Sequence, residues 1–133
     1  MRGAEPSGMQ RMMWVAGLTN VFGILFFTRG FTHRAFFELF PEVFGAFGCA
    51  CVVLWGLAYI AAAARAAELP WLMRLFALEK AVYVVSWAYW VACYGASLPQ
   101  LWSSDPCSAF FFTFYGLIDL FFGLFFLRIS ARF

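Results

Sequence analysis

The chain has 133 residues; 65% are hydrophobic, 23% aromatic and only 12% charged, with a formal net charge of +2. A soluble domain carries about twice that share of charge, so composition excludes an ordinary water-soluble fold. The basic residues are too few and too scattered for the clustered patch that a nucleic-acid partner requires. No linker or low-complexity block separates two cores, and residues 1–133 read as one domain.

The leading stretch MRGAEPSGMQR enters an apolar run from Met12 to Thr28. No small-x-small cleavage motif follows and Arg29 comes next, which predicts an uncleaved first span rather than a signal peptide. Neither end carries a lipidation motif. Three more apolar runs cover about 43–64, 75–97 and 109–127. Each is about long enough to cross the roughly 30 Å hydrocarbon layer at 1.5 Å per residue, with 12–28 marginal. The runs are continuous rather than alternating, and strands enter lipid only as closed barrels. The expected fold is an all-α membrane protein, a four-transmembrane-helix bundle with up-down-up-down order.

Between the first two runs lies FTHRAFFELF, residues 31–40. It is too apolar for a free loop and too short to span. Thr32 is a candidate cap, Arg34 and Glu38 are four apart, and Pro41 closes the segment. These signals predict a short interfacial helix, its Phe side toward lipid and His33 solvated. The second connection, AARAAELPWLMR, turns at Pro70 and is short enough to keep its neighbours antiparallel. Spans 3–4 show no residue-level repeat of spans 1–2.

The last run, Ala109 to Leu127, reads AFFFTFYGLIDLFFGLFFL. On an insertion scale its aspartate, Asp119, costs roughly 2.5–3.5 kcal/mol at mid-depth, while each Phe, Leu or Ile returns roughly 0.3–0.6. Eight Phe, four Leu and one Ile therefore carry the segment in despite the acid. Orientation follows from charge. Arg2, Arg11, Arg65, Arg74, Lys80, Arg128 and Arg132 fall on one side, and Arg29 and Arg34 on the other. The bias predicts a bacterial inner membrane or its equivalent with both termini cytoplasmic. Trp14 and Trp71 would then mark the inner interface and Trp102 the outer one.

Helical spacing assigns the inward faces. Span one aligns Met13, Gly17, Asn20, Ile24 and Phe27; span two aligns Gly45, Gly48, Val52, Gly56, Tyr59 and Ala63. Span three aligns Glu79, Tyr83, Ser86 and Trp90; span four aligns Phe112, Gly116, Asp119 and Gly123. Small residues let membrane helices approach and polar ones bond across them, so these stripes should form the interior. Measured from the cytoplasmic side, Glu79, Tyr59, Asn20 and Asp119 lie roughly 7–13 Å deep and can meet in the inner half. Lys80 lies about 100° round the helix from Glu79, free to snorkel to the inner surface or to swing toward an acid.

Two readings of this set stay open: a clamp that fixes helix register, and a proton, cation or ligand site. The candidate site is Asp119, Glu79, Asn20, Tyr59, Tyr83 and Lys80, with Trp55, Ser86, Trp87 and Trp90 as pocket walls. The outer half is nearly dry, which predicts a half-cavity open toward the cytoplasm. Cys49, Cys51 and Cys93 lie in apolar runs, and Cys107 in a loop, where it pairs with Cys93 only in an oxidising compartment. One histidine and no CxxC, HExxH, GxSxG or phosphate loop leave no metal, no cofactor and no catalytic residue to assign.

The segments LEKAVYVVSWAYW (78–90) and YGLIDLFFGLFFL (115–127) belong to a layout that resembles the small bacterial four-helix membrane proteins of the DoxX-like type. The resemblance implies an accessory part of a membrane redox or detoxification system and assigns no functional residue. A second similarity, to four-helix sterol-binding membrane proteins with acids in their spans, is one of layout alone. The first expectation is thus a non-enzymatic accessory protein that holds a small hydrophobic ligand. The second is a proton-coupled transporter acting as a homo-oligomer through Asp119 and Glu79, and the third a sterol-isomerase-like enzyme. The partners expected are the bilayer, further copies or a larger membrane complex, and the ligand. The Ala88, Ala92, Ala96 row hints at self-association.

Overall fold

The computed structural model describes residues 7–132, so Arg2 lies outside the described residues. Among these residues the chain is helical with no strand. Three stretches, Ala46–Glu68, Pro70–Ser104 and Pro106–Ser130, are long and apolar enough to cross a membrane. That is the make-up of an integral membrane protein.

Helix α1, Gly8–Phe27, starts at a capping box in which Ser7 and Gln10 bond each other's backbone N–H. It ends at Thr28, whose hydroxyl donates to the Ile24 carbonyl (2.6 Å) and accepts from the Phe31 N–H (3.0 Å). The next three residues reverse the chain with positive φ: Arg29 at 52°, Gly30 at 66° and Phe31 at 67°. Only the glycine adopts that region without strain.

The following segment departs from the sequence reading. Helix α2 covers Arg34–Leu39, not 31–40, and its N-cap is His33. Thr32 instead donates to the Arg29 carbonyl, because the left-handed turn brings that oxygen within 2.7 Å. Phe36 and Phe40 are buried in the protein, so α2 lies over the end of the bundle rather than Phe-side down in lipid. Pro41 does not merely close the segment: with its fixed φ and no N–H to satisfy, it opens a further short helix, α3, Pro41–Phe44. Gly45 then breaks the path, and α4 runs Ala46–Ala62, so the long helix begins at 46 and not at 43. Gly48 lets this corner close, since a Cβ there would overlap the Val43 carbonyl.

A 3₁₀ turn, Ala63–Glu68, bends at Arg65 (φ −122°, ψ 18°) and leads to α5, Pro70–Tyr94. A second 3₁₀ turn, Gly95–Ser97, and α6, Leu98–Ser104, lead to α7, Pro106–Ser130. All four cysteines are free thiols, Cys93 and Cys107 included.

The long helices pack as two antiparallel pairs. In the first, α1 meets α4 where Gly17 and Gly56 face each other; a Cβ on Gly17 would come within 2.5 Å of the Gly56 carbonyl oxygen. In the second, α5 meets α7, with the Trp87 indole over Gly116 and Lys80 beside Gly123. The pairs meet one another more sparsely, and α4 and α5 leave a groove although they are consecutive. Two apolar cores close the ends. Met13, Tyr59, Phe76 and Phe126 anchor the core at the end carrying Gly8 and Ser130, here the terminal end. Phe36, Phe44, Trp90, Phe112 and Tyr115 anchor the core at the opposite, loop end.

Candidate functional site

Between the two cores, all four long helices contribute to one buried polar cluster. Asn20 comes from α1, Tyr59 from α4, Glu79 and Lys80 from α5, and Asp119 from α7. The Lys80 Nζ donates to Asp119 Oδ1 at 2.8 Å and to Asn20 Oδ1 at 3.1 Å. It also lies 5.2 Å from the centre of the Tyr59 ring, in cation–π range. Asn20 Nδ2 donates to the Val52 carbonyl at 3.1 Å, which ties the amide to the partner helix of its own pair. The Tyr59 hydroxyl donates to Glu79 Oε1. Every member is thus satisfied by another, as burial at this depth requires.

Of the two courses open to Lys80, the structure takes the inward one: the residue is 1% exposed. Its ammonium closes the only ion pair among the described residues that lies near the middle of the long helices. The acid of the last run faces its sister helices, with 14% of its side chain accessible.

Two hollows flank the cluster. A cavity of about 80 Å³ opens between α1 and α7, with Thr19, Asn20 and Gly23 on one wall and Phe114, Ile118 and Asp119 on the other. On the opposite flank a groove of about 470 Å³ runs between α4 and α5, lined by Cys51, Trp55, Leu78, Val82 and Ser86 among others. Glu79 and Tyr83 line both. The Tyr83 hydroxyl makes no hydrogen bond to another described residue.

These hollows correct the expected half-cavity. Neither is lined by the buried residues that form the terminal-end core. Tyr59, Phe76, Met13 and Phe126 fill the terminal end, since Tyr59 and Glu79 bond each other and need no column of water. The space is lateral, at the seams between the helix pairs.

The proposed walls divide accordingly. Trp55 and Ser86 line the α4–α5 groove, and Ser86 also bonds the Tyr115 hydroxyl at 3.0 Å. Trp87 and Trp90 line neither hollow. Trp87 donates to the Phe112 carbonyl (3.0 Å) and Trp90 to the Leu39 carbonyl (2.9 Å). The Trp90 N–H satisfies the last carbonyl of α2, the Trp87 N–H reaches a carbonyl within α7, and both rings pack against the loop-end core. Phe110, Phe111, Phe114 and Tyr115, which spacing alone left unassigned, form the aromatic wall of the α1–α7 cavity.

A second polar contact lies at the loop end and corrects the expectation of a solvated His33. Its Nε2 sits 2.7 Å from Asp105 Oδ2, and each side chain is only 16% accessible. Asp105 also accepts from the Ser108 N–H and hydroxyl, capping α7. Burial works against ionisation of Asp105, but the bonds from His33 and Ser108 outweigh it and hold the carboxyl below its usual range. No sequence signal reveals this pair, because its partners are 72 residues apart.

Among the described residues no group of three His, Cys, Asp or Glu side chains is placed to hold a metal ion. No protein-family model, curated protein or solved structure matches the chain.

Proposed function

We propose that this integral membrane protein is a non-enzymatic binding component that takes a small hydrophobic molecule sideways from the bilayer into the α4–α5 groove. One observation carries the reading. The groove has the volume of a small-molecule site, about 470 Å³, within the roughly 300–1,000 Å³ usual for such sites. Its walls are mostly apolar, with Glu79 and Tyr83 as polar groups midway along the α5 side and Ser86 and Glu42 beyond them. That pattern holds a hydrophobic body and fixes its polar end.

In this reading α1 is a fourth crossing, less apolar than the three spanning stretches, and the terminal end faces the cytoplasm. Arg11, Arg65, Arg74 and Arg128 at that end support the orientation. Trp71, three-quarters exposed with the Arg74 guanidinium 4.3 Å above its ring, suits an interfacial position there. An accessory role of the DoxX-like kind, in a bacterial inner membrane or its equivalent and beside further copies or a larger complex, fits a binding protein without catalytic groups.

The test is photolabelling of the protein in lipid nanodiscs with a diazirine-bearing long-chain fatty alcohol. Labels should concentrate on Trp55, Leu78 and Val82. Even labelling of these and of the exposed α7 face, Leu117, Leu120 and Leu124, would mean ordinary lipid contact and end the reading.

A second reading, a proton-coupled transporter working as a homo-oligomer, has the smaller cavity in its favour. Its space, about 80 Å³ beside Asp119, exceeds the roughly 10–15 Å³ that one water needs. Asp119→Asn separates the two: it should stop proton-driven uptake in vesicles if transport is the function and leave photolabelling of the groove unchanged if binding is.

A further inference from the structure

The groove carries charge of one sign. Among the described residues, the acids and bases that line it are Glu42, at the loop-end mouth, and Glu79, at the floor, with no Lys, Arg or His. Lys80 follows Glu79 in sequence but turns to the other side, where Asp119 and Asn20 hold it. With Lys80 matched by Asp119, formal charge leaves the Glu79 carboxylate as the unmatched group of the cluster. Glu79 is 7% exposed, and one of its oxygens is taken by Tyr59. Three aromatic side chains, Phe47, Trp55 and Tyr83, stand along the same groove, and aromatic faces attract cations in a desolvated site.

We propose that the groove selects lipophilic organic cations, an amine or onium centre held against Glu79 and Tyr83 with its apolar body along Leu75, Leu78 and Val82. This rests on the groove being the binding site, as argued above, and adds the class of ligand. A neutral lipid chain would use the apolar walls and leave the carboxylate buried without a counter-charge. A lipophilic anion would meet two carboxylates and no base. Only a cation answers both the walls and the floor.

Two probe ions of matched size and opposite charge test it: tetraphenylphosphonium and tetraphenylborate, titrated calorimetrically into the full chain in a neutral detergent. Wild type should bind the phosphonium at least tenfold more tightly than the borate. Glu79→Gln keeps an acceptor for Tyr59 and removes the charge, and should abolish that preference. Cys51→Phe, which fills the groove from the α4 side and leaves the polar cluster intact, should weaken phosphonium binding at least tenfold. Equal affinity for the two ions, lost in Cys51→Phe, would overturn charge selection and leave the groove as a site. Affinity for both ions unchanged in Cys51→Phe would overturn the groove itself and the inference with it.

Discussion

Backbone-close packing on glycine is confined to the helix pairs, whereas the contacts that join one pair to the other at mid-height are polar. Inside the α1–α4 pair, Gly17 and Gly56 remove side chains so that backbones touch, and inside the α5–α7 pair Gly116 receives the Trp87 ring. Between the pairs, the contacts near mid-height are charged and polar: Lys80 to Asn20 across to α1, and Tyr59 to Glu79 across to α5. Close packing in lipid works through van der Waals contact and tolerates little change. Long polar side chains reach across a gap and leave space beside them. Both hollows lie on these seams. The pairs are the closely packed parts of the protein, and the open space lies at the seams between them.

The comparison can be broken most severely at Lys80. Lys80→Met leaves Asp119 without its donor in an apolar interior and should cost about 3–5 kcal/mol, read as a lowered unfolding midpoint in detergent. Lys80→Met with Asp119→Leu should recover a large part, since an apolar pair of similar volume replaces a buried ion pair at little cost. A double variant no better than the single one would show that the cost does not come from an acid left unpaired inside the α5–α7 pair.

Next in size is Gly56→Val. Its Cβ would come within 2.6 Å of the Gly17 carbonyl and 2.7 Å of Asn20 Cβ, forcing α1 off α4 at a cost of about 1–3 kcal/mol. The loss should be one of stability, with phosphonium affinity unchanged in the protein that remains folded. Asn20→Ala removes the bonds to Lys80 and Val52 and should cost about 0.6–2 kcal/mol by the same midpoint, with both grooves retained.

The smallest effect belongs to the loop end. His33→Ala should lower stability by under about 1 kcal/mol at neutral pH. Because Asp105 is held below its usual range when folded, its contribution is complete above about pH 4 and fades as pH falls through the lowered value. Without the His33 bond that fade should become shallower. An unchanged slope of midpoint against pH below 4 would detach His33 from Asp105.

Much of the cluster was legible in the spacing of single helices. The intervals of three and four that put Asn20, Tyr59, Glu79 and Asp119 on inward stripes also bring them together in space, because small residues share those stripes. What spacing cannot give is reach. Lys80 sits a residue round from Glu79, and only the length of its side chain and the position of α7 decide that it turns inward. The short helices at the loop end were legible in outline and wrong in detail, since a left-handed turn at Arg29–Phe31 redirects Thr32. The grooves were not legible: they arise because α4 and α5 follow one another in the chain yet pack on other partners. The tryptophans misled for a related reason. A large aromatic on an inward stripe fills a core as readily as it walls a pocket, and the carbonyl that its N–H finds belongs to another element.

The lysine–aspartate contact also orders the birth of the protein. Its acid is translated 39 residues after its base, so α5 leaves the ribosome with an ammonium whose partner does not yet exist. Until α7 emerges, that helix faces a membrane entry penalty of roughly 2.5–3.5 kcal/mol for the base alone. The apolar residues of α5 alone must offset that cost, and the arriving acid of α7 then relieves it.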